Sequence, residues 1–176
     1  TSSSGVSSVN DLSDALLETN SIWIGNDPSS STNSAQFNSA VGVSALSSVT
    51  TGDNLTAIGY GALTNNTTGS ENIAIGFGSL RDNVSDIGNV AIGYQSMLDA
   101  NGAEYNTAVG NNALRGTDNT NITGDENVAV GAGSLKLNIA GAQNTAVGRV
   151  SLYTNTSGSN NTALGYGSLL SNTSAR

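Results

Sequence analysis

The chain has 176 residues, with only 10% charged and 5% aromatic, 22 glycines and a net charge of −8. It has neither histidine nor cysteine, which removes thiol nucleophiles, imidazole bases, His/Cys metal sites and disulfides. The acidic balance argues against nucleic acid or an anionic bilayer as partner, and no apolar run approaches the roughly 20 residues that span a membrane.

Residues 1–20 carry no repeat and read as a lead-in. Val9, Leu12 and Leu16 fall near helical spacing, with Asn10 or Asp11 placed to cap the start. The spacing is that of a short trimerising helix, too brief to stand alone. An extended lead-in is the alternative.

From residue 21 to residue 176 the chain repeats itself. The phrase Asn-x-Ala-(Val/Ile/Leu)-Gly recurs at Asn38–Gly42, Asn72–Gly76, Asn89–Gly93, Asn106–Gly110, Asn127–Gly131, Asn144–Gly148 and Asn161–Gly165. Leu55–Gly59 carries Leu in place of Asn, and Ser21–Gly25 is a degenerate copy. Successive repeat glycines are 17 residues apart except for one step of 21, from Gly110 to Gly131. That long step contains Thr117–Thr123 and reads as a four-residue loop insertion.

Aligned on the glycines, the copies form columns. The residue before the glycine is Ile24, Val41, Ile58, Ile75, Ile92, Val109, Val130, Val147 and Leu164. Four residues after the glycine come Leu46, Leu63, Leu80, Met97, Leu114, Leu135, Leu152 and Leu169. These two columns are the expected repeat core. Two residues before the glycine stands alanine from Ala40 to Ala163, with Trp23 in the first copy.

One such unit has too little apolar surface to fold alone, and stacking equal units buries each column as a continuous ridge. Gly and Asn throughout, with no 3-4-7 apolar spacing, disfavour helices. The expected fold is therefore all-β: a parallel β-solenoid of about nine 17-residue coils, spaced roughly 4.8 Å apart. Aliphatic and alanine positions fall on opposite faces of each short strand. One face fills the coil; the other is free to meet a neighbouring chain. A monomeric solenoid that takes every column inside is the alternative.

Asn66, Asn83, Asn121, Asn155 and Asn172 each open an Asn-x-Ser/Thr triplet. A chain so rich in these residues produces such triplets freely, and hydrogen-bonded ladders and turns are the preferred reading. Carboxylates such as Asp125 and Glu126 sit in turn regions, without the pairing of a glycosidase or a full calcium-binding pattern. The column three before the glycine is too often aliphatic for an ice-binding threonine ladder. No enzyme activity, cofactor or metal is expected. The candidate ligand-contact stripe is the position just after the glycine: Tyr60, Phe77, Tyr94, Arg149 and Tyr166. Exposed aromatics there would suit a sugar or a protein receptor; mutual packing over a corner is the plainer reading.

Glu71-Asn-Ile-Ala-Ile-Gly-Phe-Gly-Ser79 and Glu126-Asn-Val-Ala-Val-Gly-Ala-Gly-Ser134 resemble the head repeat of YadA-like trimeric autotransporter adhesins. The asparagine here lies four before the glycine rather than five, and the period is longer than that family's. Leu55–Gly69 and Asn161–Asn172 are similar to repeats of bacteriophage tail fibres, whose period fits better. The first resemblance implies a left-handed β-roll, and both imply a homotrimer, an extracellular place on a virion or bacterial surface, and attachment to a host receptor or glycan. A monomeric glycan- or surface-binding module is the further alternative.

Overall fold

The computed structural model describes residues 15–18, 20–25, 34–117 and 120–174. Each repeat phrase supplies one short strand. After β1 (Ala15–Glu18) and β2 (Ser21–Ile24) come β3 (Ser39–Val41), β4 (Thr56–Ile58), β5 (Ile73–Ile75), β6 (Val90–Ile92), β7 (Thr107–Val109), β8 (Val128–Val130), β9 (Thr145–Val147) and β10 (Thr162–Leu164). The ten strands form one sheet in chain order. From β2 to β10 every neighbouring pair is parallel and in register, so Ala57 lies beside Ala74 and Ile58 beside Ile75. The chain is thus a parallel β-solenoid of about eight turns, without a helix among the described residues. Stacking continues beyond the strands: Leu63 N–H donates to Ser79 O at 3.1 Å, and Thr67 N–H to Val84 O at 2.9 Å.

Strand alternation decides what fills the coil. The alanines of the phrase point inward, from Ala40 to Ala163, and none is more than 3% exposed. Across the narrow interior they meet the leucine column, fully buried from Leu46 to Leu152. These leucines turn a corner in the left-handed region, with φ of 51° at Leu63 and 48° at Leu80. That conformation costs an L-residue roughly 1–2 kcal/mol, and full burial of the side chain returns about 1.5–3 kcal/mol. Trp23 occupies the alanine position of the first rung and is completely buried.

The repeat asparagines form the polar part of the interior. Asn106 N–H donates to Asn89 Oδ1 at 2.9 Å, Asn127 N–H to Asn106 Oδ1 at 2.8 Å, and Asn144 N–H to Asn127 Oδ1 at 3.0 Å. The amides of Asn89, Asn127 and Asn144 reach a carbonyl of the next turn, as Asn89 Nδ2 does at Ala103 O, 2.7 Å away, while Asn106 Nδ2 donates to Glu104 O at 3.0 Å. The repeat asparagines from Asn89 to Asn144 are thereby matched along the stack, as a dry interior requires, whereas Trp23 Nε1 and the Oδ1 atoms of Asn66 and Asn83 are buried without a hydrogen-bond partner. A second ladder links Asn155 Nδ2 to Asn138 Oδ1 at 2.7 Å. Asn66, Asn83 and Asn155 are buried and unable to carry a glycan in the folded rod, whereas Asn121 is exposed.

The strand glycines allow rungs to approach. A Cβ on Gly76, whose φ is +133°, would lie only 2.7 Å from the backbone carbon of Gly93. No side chain fits there at this rung spacing.

One expectation is corrected. Of the two columns assigned to the core, only the leucines lie inside. The residues before the glycine, Ile24, Val41, Ile58, Ile75, Ile92, Val109, Val130, Val147 and Leu164, line the outer face of the sheet and are half-buried or exposed, Ile58 by 42%. With alanine inward, the pleat turns its neighbours outward. The leucine column also ends outside the core: Leu169, in the last turn, is 49% exposed.

Most of the lead-in assigned to residues 1–20 lies outside the described residues; of its helical stretch, Ala15–Glu18 is an extended strand, antiparallel to β2, with Glu18 opposite Ser21. The four-residue insertion leaves the stack intact, since β7 and β8 pair in register on either side of it. The chain returns through Ile122, which is fully buried and bridges Ala100.

Candidate functional site

The position after each repeat glycine lies just past the strand, at the corner where the sheet gives way to the turns. Side chains there lie one rung apart, close enough for aromatic rings to stack. Tyr60 and Phe77 have ring centroids 5.3 Å apart and planes 12° from parallel; Phe77 and Tyr94 repeat this at 5.3 Å and 13°. All three remain exposed, Tyr60 by 58%. The stripe therefore packs on itself and still faces solvent. Phe77 has a neighbour on each face, so its ring presents an edge outward. A sugar stacking face-on would find an uncovered face only at the two ends of the trio.

Arg149 and Tyr166 form a second group in the same stripe. The guanidinium carbon lies 5.7 Å from the Tyr166 ring centre, and Arg149 Nη1 donates to Tyr166 Oη at 3.3 Å. Asn111 and Ala132 occupy the stripe between the two groups.

Sequence reading missed the column that faces this stripe, five residues after the glycine. It holds Thr64, Arg81, Leu98, Arg115, Lys136 and Tyr153 in successive turns, so three of the chain's five basic residues stand in one line. That clustering was readable once the register was known. Small or polar residues floor the space between stripe and column, among them Gly61, Gly78, Asn112 and Gly133, all with left-handed φ.

Among the described residues, cavities open along this line and together form a groove. A cavity of about 220 Å³ lies between Tyr60, Phe77 and Arg81. One of about 320 Å³ follows, lined by Arg81, Asp82, Gln95, Asp99 and Arg115 beside the insertion. The third, of about 240 Å³, lies between Lys136, Tyr153, Arg149 and Asn111. In the middle cavity charge is internally balanced. Arg81 makes a two-pronged contact to Asp82, Nε to Oδ1 at 2.9 Å and Nη2 to Oδ2 at 2.7 Å, and lies 4.0 Å from Asp99.

Comparison with family profiles, curated proteins and solved structures returned no match to this chain.

Proposed function

We propose that the chain is a rod-forming module of an extracellular attachment fibre, assembled as three parallel copies through the outer face of the sheet. The observation that carries this reading is the pair of side-chain columns on that face. The interior is already filled by alanine, leucine and asparagine, yet Ile58, Ile75, Ile92 and their column, with Ile73, Val90 and Val128 beside them, remain on the surface. Nine strands at about 4.8 Å spacing and three residues of width make a strip of roughly 400 Å². One column of the strip is aliphatic throughout and the other mixes Ile and Val with Ser and Thr; exposed patches of about this size on soluble proteins are often functional.

The strip is narrow. Against a single partner it offers about half the 800 Å² per side of a standard interface. Three strips turned toward a common axis each meet two neighbours and together close the aliphatic columns off from water. The count of three, and the assignment to a tail fibre or similar virion fibre ahead of an adhesin head, rest on the resemblance of the repeated phrases. An acidic rod without disulfides gains its durability from stacking and association. Such a rod spaces or presents an attachment surface and performs no catalysis.

Light scattering coupled to size exclusion tests the proposal. The expected mass at micromolar concentration is three times the chain mass of 17.6 kDa. A stable single chain at that concentration overturns it and leaves a monomeric surface-binding module as the reading.

A further inference from the structure

Four basic residues lie among the described residues: Arg81, Arg115, Lys136 and Arg149. Arg81 is bound by the Asp82 carboxylate, and Arg115 lines the same cavity as Asp82 and Asp99. Lys136 and Arg149 are held differently. Lys136 Nζ sits 5.6 Å from the centre of the Tyr153 ring, and the Arg149 guanidinium 5.7 Å from that of Tyr166. An aromatic face positions a cation without neutralising it. Among the described residues no carboxylate lies within ion-pair distance of either. Both cations line the same 240 Å³ cavity, together with Asn111, Asn112 and Tyr153, and none of its lining residues is acidic. A chain of net charge −8 thus concentrates two uncompensated positive charges in one pocket.

We infer that this pocket binds the anionic group, carboxylate or sulfate, of an acidic oligosaccharide lying along the groove. The inference rests on the attachment reading and names its ligand. Two cations with amide and phenol groups suit a flat or tetrahedral anion. The groove accounts for the saccharide. The cavity between Tyr60, Phe77 and Arg81 occupies the same place relative to its rungs as the cationic pocket does to its own, about four rungs away. That separation is on the order of 20 Å. A linear ligand anchored at Lys136 and Arg149 runs from there past the amides and charges of the middle cavity toward the aromatic edges.

Calorimetric titration with four probes tests this: a pectin-derived oligogalacturonate, its methyl ester, a heparin fragment and inorganic sulfate. Binding of the oligogalacturonate or the heparin fragment is expected, weakening as salt is added. It is expected to fall roughly tenfold or more in K136Q/R149Q and to persist in K136R. Equal binding of the methyl ester, or undiminished binding by K136Q/R149Q, overturns the cationic anchor. Sulfate bound as tightly as the oligosaccharides overturns the groove as a saccharide site. The absence of binding by any probe at millimolar concentration overturns the whole inference. Mass measured on the same samples separates the two readings, because loss of binding by an intact trimer leaves the rod proposal standing.

Discussion

The two faces of the sheet are built from the same nine parallel strands and have opposite fates. Inward, alanine lies against leucine and the asparagine ladders, and nothing larger than alanine stands on the strands from Ala40 onward. Outward, the same strands carry isoleucine, valine and threonine, much of it in contact with solvent. On the strands from Ala40 onward the larger apolar side chains are on the outside, the reverse of the usual order, while the large buried side chains come from the turns. A coil this narrow leaves room only for small residues on its strands. Its interior is closed by its own turns, and its outer face stays in contact with solvent.

Substitutions separate the two faces, and the largest effect is expected where rungs touch. Gly76→Ala pushes a methyl group into the Gly93 backbone and should lower unfolding free energy by more than about 3 kcal/mol in denaturant titration. Gly165→Ala, at the same place in the last phrase, meets nothing within 4 Å at φ +111°. It should cost only the conformational penalty of about 1–2 kcal/mol. Equal losses at the two positions would mean that rung contact is not what the glycine serves. Leu80→Ala should cost about 3 kcal/mol, and Leu169→Ala less than about 1 kcal/mol because its side chain is half exposed. Asn106→Ala deletes one link of the ladder and leaves the Asn127 N–H without its acceptor, a loss of about 2 kcal/mol by the same titration. On the outer face, Ile75→Lys should change the stability of the single chain by no more than about 0.5 kcal/mol. The far-ultraviolet circular dichroism should stay unchanged while the oligomer is lost in light scattering.

Much of this was legible because the repeat is nearly strict. Seventeen-residue spacing fixed which residues stack, and alternation in Asn-x-Ala-Ile-Gly placed alanine and isoleucine on opposite faces. Spacing could not say which face turns inward, since both are apolar. Volume decides it, and the volume of the coil depends on the path of the turns. That path was hidden by the leucines. Leu80 at φ 48° violates the preference that sequence rules rely on, and only its burial makes the corner tolerable. The groove was half legible. Tyr60, Phe77 and Tyr94 stood out as aromatics, but Lys136 and Tyr153 matter only through the turn that brings their column beside the stripe. Asp86 was also unreadable. It occupies a position that is usually glycine, and its carboxylate accepts the N–H groups of Gly102 at 2.7 Å and Ala103 at 3.1 Å.

The absence of native cysteine allows a direct test of the difference between the faces. Thr107→Cys places a single thiol on the outer face of β7, and Thr68→Cys places one in an exposed turn outside the strands. Treatment of each protein at micromolar concentration with a short bis-maleimide linker should join chains at position 107 and leave position 68 uncoupled. Coupling at neither position, or equally at both, would contradict association through the outer face of the sheet.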